Sequence, residues 1–207
     1  MRVLILGATG RVGSETVRLA RQAGHDVIAF VRDPAKFSAR DGVEIAVGDM
    51  PQPETLDAAL KRGVDAVVNT VGVDPLKSST FVTDAARVVV AAMAKNGVRR
   101  YVGISGTAEM RKTMFGAIAI RILRMTPVRH AIRDHDRAFA IVTGSQLDWT
   151  LAGCPWIKDG ESGRAYVESD IFPGGMKTIR PGNVADFLVK VIARSDYYRR
   201  IVGIWTA

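Results

Sequence analysis

A chain of 207 residues with 47% hydrophobic side chains is long enough for one substantial core, so a single domain over 1–207 is expected. The net charge of +8 leaves nucleic acid, a membrane surface and anionic small molecules open as partners. The lone cysteine, Cys154, excludes an internal disulfide framework and suits a reducing, cytoplasmic setting. No uncharged apolar run approaches the roughly 18 residues that a spanning helix needs, and the apolar start MRVLIL ends in a glycine turn too soon for a signal peptide.

In chain order, Val3–Leu6 reads as the first strand, and Val12, Thr16, Leu19 or Ala20 and Ala23 recur at helical spacing until Gly24. Asp26–Val31 and Val43–Val47 read as the second and third strands, Pro53–Lys61 as a helix and Ala66–Thr70 as the fourth strand. A longer helix over Phe81–Asn96 closes at Asn96-Gly97; Tyr101–Ile104 is the fifth predicted strand, His130–Thr143 a helix and Asp148–Leu151 the sixth strand. Asn183 reads as the cap of a helix whose apolar face is Val184, Phe187, Leu188, Val191 and Ile192, before a last strand at Ile201–Ile204. Parallel strands need crossover connections, so this alternation predicts an α/β fold: a single-domain, Rossmann-type, doubly wound and mainly parallel sheet with helices on both faces. No repeat, low-complexity tract or linker divides it.

The segment GATGRVG lies between the first strand and the first helix. In that position Gly7 allows a tight turn, Gly10 lets the backbone approach a pyrophosphate, and Gly13 lets the helix pack close to the sheet with its N-terminus toward the anion. The spacing G-x-x-G-x-x-G is not the commoner G-x-G-x-x-G, and a purely structural turn is the alternative. The pattern G-x-x-x-x-G-K-[ST] is absent, which argues against a nucleoside triphosphate loop. At the end of the second strand, FVRDPAKF places Arg32, with Lys36 nearby, where an acid would select NAD. A guanidinium forks onto a 2′-phosphate, so NADP(H) is the expected cofactor, with Arg11 a possible second cation. Asp33 competes for the ribose role, but Asp-Pro reads better as the start of a turn. An exposed basic loop is the bland reading of Arg32 and Lys36.

These residues resemble the atypical short-chain dehydrogenase/reductase group, the NAD(P)H-binding proteins related to NmrA-like regulators, and within it the biliverdin/flavin reductase type. The likeness runs in order through GATGRVG, VRDPAKF, Gly48-Asp49-Met50, Asn69-Thr70-Val71-Gly72, Asp134-His135 with Arg137, Pro155, and Ile179–Phe187 containing Asp186. It implies that Gly7, Thr9, Gly10, Arg11, Val12, Gly13, Arg32 and Pro155 bind the cofactor. It also implies that Asp49 and Met50 border the adenine, that Thr70, Val71 and Gly72 line the groove, and that Ser105 sits near the nicotinamide. One departure stands out: where the family type has a histidine beside the substrate, this chain has Trp156 in CPWI.

None of the four tyrosines has a lysine four residues on, so the acid/base pair of ordinary short-chain dehydrogenases is missing. Hydride transfer to a planar acceptor that takes its proton from water, such as a flavin, a quinone or a biliverdin-like molecule, fits better. Ser105 and Trp156 are the candidate catalytic residues; Trp156 is read either as a flat platform for the acceptor or as a core tryptophan. Cys154 reads as a buried small hydrophobe, and His135 as structural or as a proton donor. No His/Cys/carboxylate cluster has metal-ligand spacing, so no metal is expected.

Residues 106–129 are the least family-like stretch, with five basic side chains against Glu109, half of the net charge, and one apolar side of Met110, Met114, Phe115, Ile118, Ile122 and Met125. A lid, a protein-partner site and a membrane-surface segment all fit. Nucleic acid is disfavoured by the lack of interleaved aromatics. The expectation is an NADPH-dependent reductase of a planar acceptor; the rival is a non-catalytic NADP(H)-sensing regulator of NmrA-like type.

Overall fold

The computed structural model describes residues 1–37, 42–50, 52–72, 79–160 and 165–206. Its elements are β1 (Arg2–Leu6), α1 (Arg11–Gln22), β2 (Asp26–Val31), β3 (Val43–Val47), α2 (Pro53–Leu60), β4 (Ala66–Asn69), α3 (Phe81–Lys95) and β5 (Arg100–Gly106). There follow β6 (Arg111–Lys112), α4 (Met114–Leu123), α5 (Arg129–Thr143), β7 (Asp148–Cys154), β8 (Trp156–Ile157), β9 (Tyr166–Ser169), β10 (Ile171–Phe172), β11 (Thr178–Ile179), α6 (Pro181–Val191) and β12 (Arg200–Thr206).

The main sheet runs β3-β2-β1-β4-β5-β7-β12-β9. Every neighbouring pair is parallel except β12 and β9. Strands covered on both faces need apolar side chains at every position, and Val3, Leu4, Ile5 and Leu6 are all fully buried. One face packs against α1 and α6 through Val17, Phe187 and Leu188, and the other against α2, α3 and α5 through Leu56, Met93 and Val142. Order along the sheet reverses between β1 and β4, which opens a crevice at their carboxyl ends.

The doubly wound architecture is as expected, with local corrections. The fifth and sixth strands continue to Gly106 and Cys154, so Ser105 lies inside a strand. Asn183 is not the cap of the last helix: Arg180 is, Pro181 takes the first helical position, and Asn183 lies buried in the first turn. Proline is preorganised for that first position and has no N–H to leave unbonded, which starts the helix three residues earlier. The segment 106–129 contains β6 and α4, anchored by Met110, Ile120, Phe172 and Trp205 in a small core of its own. Among the described residues no helix is long and apolar enough to cross a membrane.

Candidate functional site

The glycine loop closes on itself. Gly7 adopts φ of 75°, and the Gly10 N–H donates to the Gly7 carbonyl at 2.9 Å. Gly10 caps α1 without a side chain, and no acid occupies the first turn, so the helix presents its leading N–H groups and positive dipole end unneutralised. A Cβ on Gly13 would stand 2.0 Å from the Gly7 oxygen and 2.8 Å from Thr70 Oγ1. Thr70 ties the two strands flanking the crevice, donating from its N–H and its hydroxyl to the Leu6 carbonyl at 3.0 and 2.7 Å. Thr9, Gly10 and Gly72 are exposed, Val71 is half-buried and Val12 is buried. Asn69 sets the strip that follows: its Oδ1 accepts from the Val71 N–H at 3.1 Å, and its Nδ2 donates to the Tyr101 hydroxyl at 3.1 Å. Burial pushes the Tyr101 phenol up to about 12, so it stays neutral.

At the end of β2, Arg32 is exposed and makes no hydrogen bond or ion pair among the described residues. Asp33 is already engaged: its Oδ1 accepts the Ala35 N–H at 3.0 Å, capping the single turn Pro34–Lys36, with Lys36 Nζ 3.8 Å away. Beyond β3, Asp49 is half-buried and Met50 buried.

The other end of the crevice is built by β5 and β7, where Ser105 pairs with Gly153 and Gly106 with Cys154. Ser105, Asn69, Val71, Tyr101, His135 and Phe139 line a pocket there. Pro155 leads into β8, where Trp156 is half exposed, so the indole is not a core side chain. The chain then reaches back across the crevice: Arg11 Nη1 lies 2.7 Å from Asp159 Oδ1, and Arg180 donates to the Lys158 carbonyl at 3.4 Å and to that of Asp159. Two polar or ionisable side chains nearby serve the fold. Asp134 accepts the Val82 and Thr83 N–H groups at 3.1 and 2.9 Å, stitching α5 to the start of α3. Cys154 is buried, and burial alone drives its thiol up, away from thiolate reactivity. Burial lowers His135, the nearby Asp134 and Asp136 notwithstanding, so its ring is neutral near pH 7.

One residue in this region escaped the sequence reading. Glu109, one turn after β5, has both carboxylate oxygens buried without a hydrogen-bond partner among the described residues. Burial is the largest influence and pushes its carboxyl up to about 7; Asp136 on α5 raises it further and the Ser105 hydroxyl lowers it. Lys112, which donates to the Met110 carbonyl at 2.6 Å, is a neighbouring cation, itself lowered chiefly by burial. Arg124 pairs with Asp136 at 2.9 Å.

The family pattern described as NAD(P)H-binding matches residues 7–195. The chain belongs to the NAD(P)H-binding family. Among similar proteins, the NAD(P)H azoreductase of Xenophilus azovorans is 42% identical over 107 residues, 50% of this chain and 35% of that protein. Isoflavone reductase homolog P3 of Arabidopsis thaliana is 33% identical over 165 residues, 74% of this chain and 48% of its own length. The matches thus span a third to a half of these two curated relatives. The anaerobilin reductase ChuY of Escherichia coli O157:H7 shares the fold at a TM-score of 0.80, with 18% identity over 99% of this chain and 96% of that one.

The residues present fit the family's cofactor. The bare start of α1, together with a loop in which a Cβ at position 13 cannot be housed, suits a pyrophosphate against backbone. Among the described residues no group of three or more metal-ligating side chains comes together.

Proposed function

We propose that this chain is an NADPH-dependent reductase that delivers hydride to a planar, conjugated acceptor such as a flavin, a quinone or a biliverdin-like molecule. The bound nicotinamide supplies the hydride. The chain's own residues orient the two partners and move a proton. The observation that carries the reading is the buried Glu109 carboxyl behind Ser105, without a hydrogen-bond partner among the described residues and raised by its burial, because a purely structural or sensing groove gains nothing from such a carboxyl at its reacting end. Ser105 Oγ gives its proton to the acceptor as the hydride arrives and recovers one from Glu109. The glutamate is then reprotonated from water. The names azoreductase and anaerobilin reductase among similar proteins belong to enzymes that reduce conjugated systems, which supports the same reading.

Selectivity for NADPH rests on Arg32, unpaired among the described residues at the end of β2, while Asp33 is engaged as a cap. Calorimetry should show NADPH preferred over NADH by roughly 1.5–3 kcal/mol, tenfold or more, as for a charge-assisted forked contact. Arg32→Asp should erase or invert that preference; equal affinities in the native protein would remove the argument. Trp156, half exposed beyond β7, offers the wall for the acceptor ring. Trp156→Ala is expected to lower kcat/KM for the acceptor about tenfold with NADPH affinity unchanged, since a lost stack is worth ~0.5–1.5 kcal/mol beyond its area. An equal loss with every acceptor, accompanied by a lowered Tm, would instead mark a structural indole.

A second reading, an NADP(H)-sensing regulator, draws on Trp156 standing where the resemblance implies a histidine. NADPH oxidation measured across flavins, quinones and azo compounds separates the two. Tight NADPH binding with no acceptor-dependent oxidation would leave only the sensor.

A further inference from the structure

A surface helix ordinarily turns its apolar stripe to the core. Helix α4 does the reverse. Its inward side is small: Gly116 sits where a Cβ would be 2.7 Å from the Phe172 carbonyl, and Ile120 packs with Met110, Phe172 and Trp205. Thr113 fixes this orientation, its Oγ1 accepting the Gly116 N–H at 3.1 Å and donating to the Pro173 carbonyl at 2.9 Å. Outward, Met114, Phe115, Ile118, Ile122 and the following Met125 are 51 to 83% exposed. The loop after β10 touches this surface, Gly174 lying against Phe115, and carries Met176, 97% exposed.

Charge around the stripe has one sign. Arg111, Arg121, Arg129 and Arg133 are exposed and form no ion pair among the described residues, and Arg124 is paired with Asp136. Between Thr107 and Thr143 the acids are Glu109 and Asp134, both internal, and the paired Asp136.

We propose that α4 and its arginine rim dock this protein on an anionic lipid bilayer, with Met114, Phe115, Ile118, Ile122 and Met125 seated among the acyl chains and the arginines at the headgroup phosphates. The charge pattern selects this occupant. A second copy meeting face to face would set the same arginines against themselves, an isologous contact with like charges opposed. Closure as a lid would require the helix to roll over, giving up the Gly116 and Ile120 packing. A bilayer with anionic headgroups answers both the apolar stripe and the rim, as in interfacial amphipathic helices. The inference does not depend on the reductase reading.

The test is sedimentation of the full chain with vesicles of pure phosphatidylcholine or with about one-third phosphatidylglycerol. At least tenfold stronger partitioning onto the anionic vesicles is expected, weakened by 0.5 M salt as counterions screen the rim. Ile118→Asp with Ile122→Asp should abolish it, and Arg121→Glu with Arg129→Glu should lower it at least tenfold. All four positions are exposed, and unchanged NADPH affinity shows that the variants fold. Vesicle binding that is absent, insensitive to lipid charge, or retained in the Ile118/Ile122 variant overturns the proposal. A native dimer dissolved by the same aspartates, with no lipid binding, assigns the face to a second copy. Saturable binding of an acidic amphipathic peptide without lipid binding assigns it to a protein partner.

Discussion

Glu109→Gln is expected to lower kcat about a hundredfold, the lower end of what a positioned proton donor contributes, with NADPH affinity unchanged. The glutamine keeps the shape of the side chain in its closed site but cannot recharge Ser105. The pH profile is the discriminating readout. With the carboxyl pushed up to about 7, the native protein should lose the proposed activity as pH rises through that value, and the variant should lack this inflection. Groups facing Glu109 sharpen the expectation: Asp136 raises it, the Ser105 hydroxyl lowers it, and Lys112 is a nearby cation. Native stability falls over the pH range below that value. A carboxyl that titrates near 4.5 when unfolded and about 7 when folded carries no penalty below pH 4.5. Its penalty is complete above pH 7, on the order of 3 kcal/mol. Chemical denaturation should therefore find Glu109→Gln more stable than the native protein at pH 8 and equal to it near pH 4. The stability gain without any change in kcat or its pH profile would make Glu109 a strained structural residue and sink the relay.

The cradle and the sheet were legible in the sequence because both are local. Four consecutive apolar residues followed by three spaced glycines define β1, its turn and the start of α1 with no knowledge of the rest of the chain. Asp33 was legible for the same reason, since an Asx cap two residues from its own N–H partner is written in the dipeptide Asp-Pro. Glu109 was not. In sequence it is one acid among five cations, and its significance arises when α5 brings Asp136 and β6 brings Lys112 around it. The nearest local signal was its place, just past the end of the strand that carries Ser105. Helix α4 stayed open for a different reason. Its periodicity is that of an amphipathic helix, but periodicity names a stripe and not the side it faces; the small inward contacts at Gly116 and Ile120 decide that. Trp156 was ambiguous for want of the turn after β7, which carries it out of the core.

Gly13→Ala is expected to weaken NADPH binding at least a hundredfold and to lower Tm. The added Cβ would meet the Gly7 carbonyl oxygen at 2.0 Å and its carbon at 2.7 Å, and both are backbone atoms that no rotamer change can withdraw. Relief requires α1 to move off the sheet or the Gly7 turn to open. Either movement breaks the 2.9 Å bond from Gly10 to Gly7 and disturbs Thr70, whose hydroxyl would lie 2.8 Å from the new methyl. The strain alone is of the kind that costs about 1–3 kcal/mol in a packed interior. The larger loss is functional on the proposed reading, because the leading N–H groups of α1 would no longer converge where it puts the pyrophosphate. Gly72→Ala isolates the ligand's share. Among the described residues, chain neighbours aside, no atom lies within 4 Å of a Cβ there, so the fold should tolerate it, and any loss of affinity by calorimetry reports contact with the cofactor itself. Native NADPH affinity in Gly13→Ala would mean that the cofactor does not lie across this turn, and the anion site would have to be sought elsewhere along the strand ends.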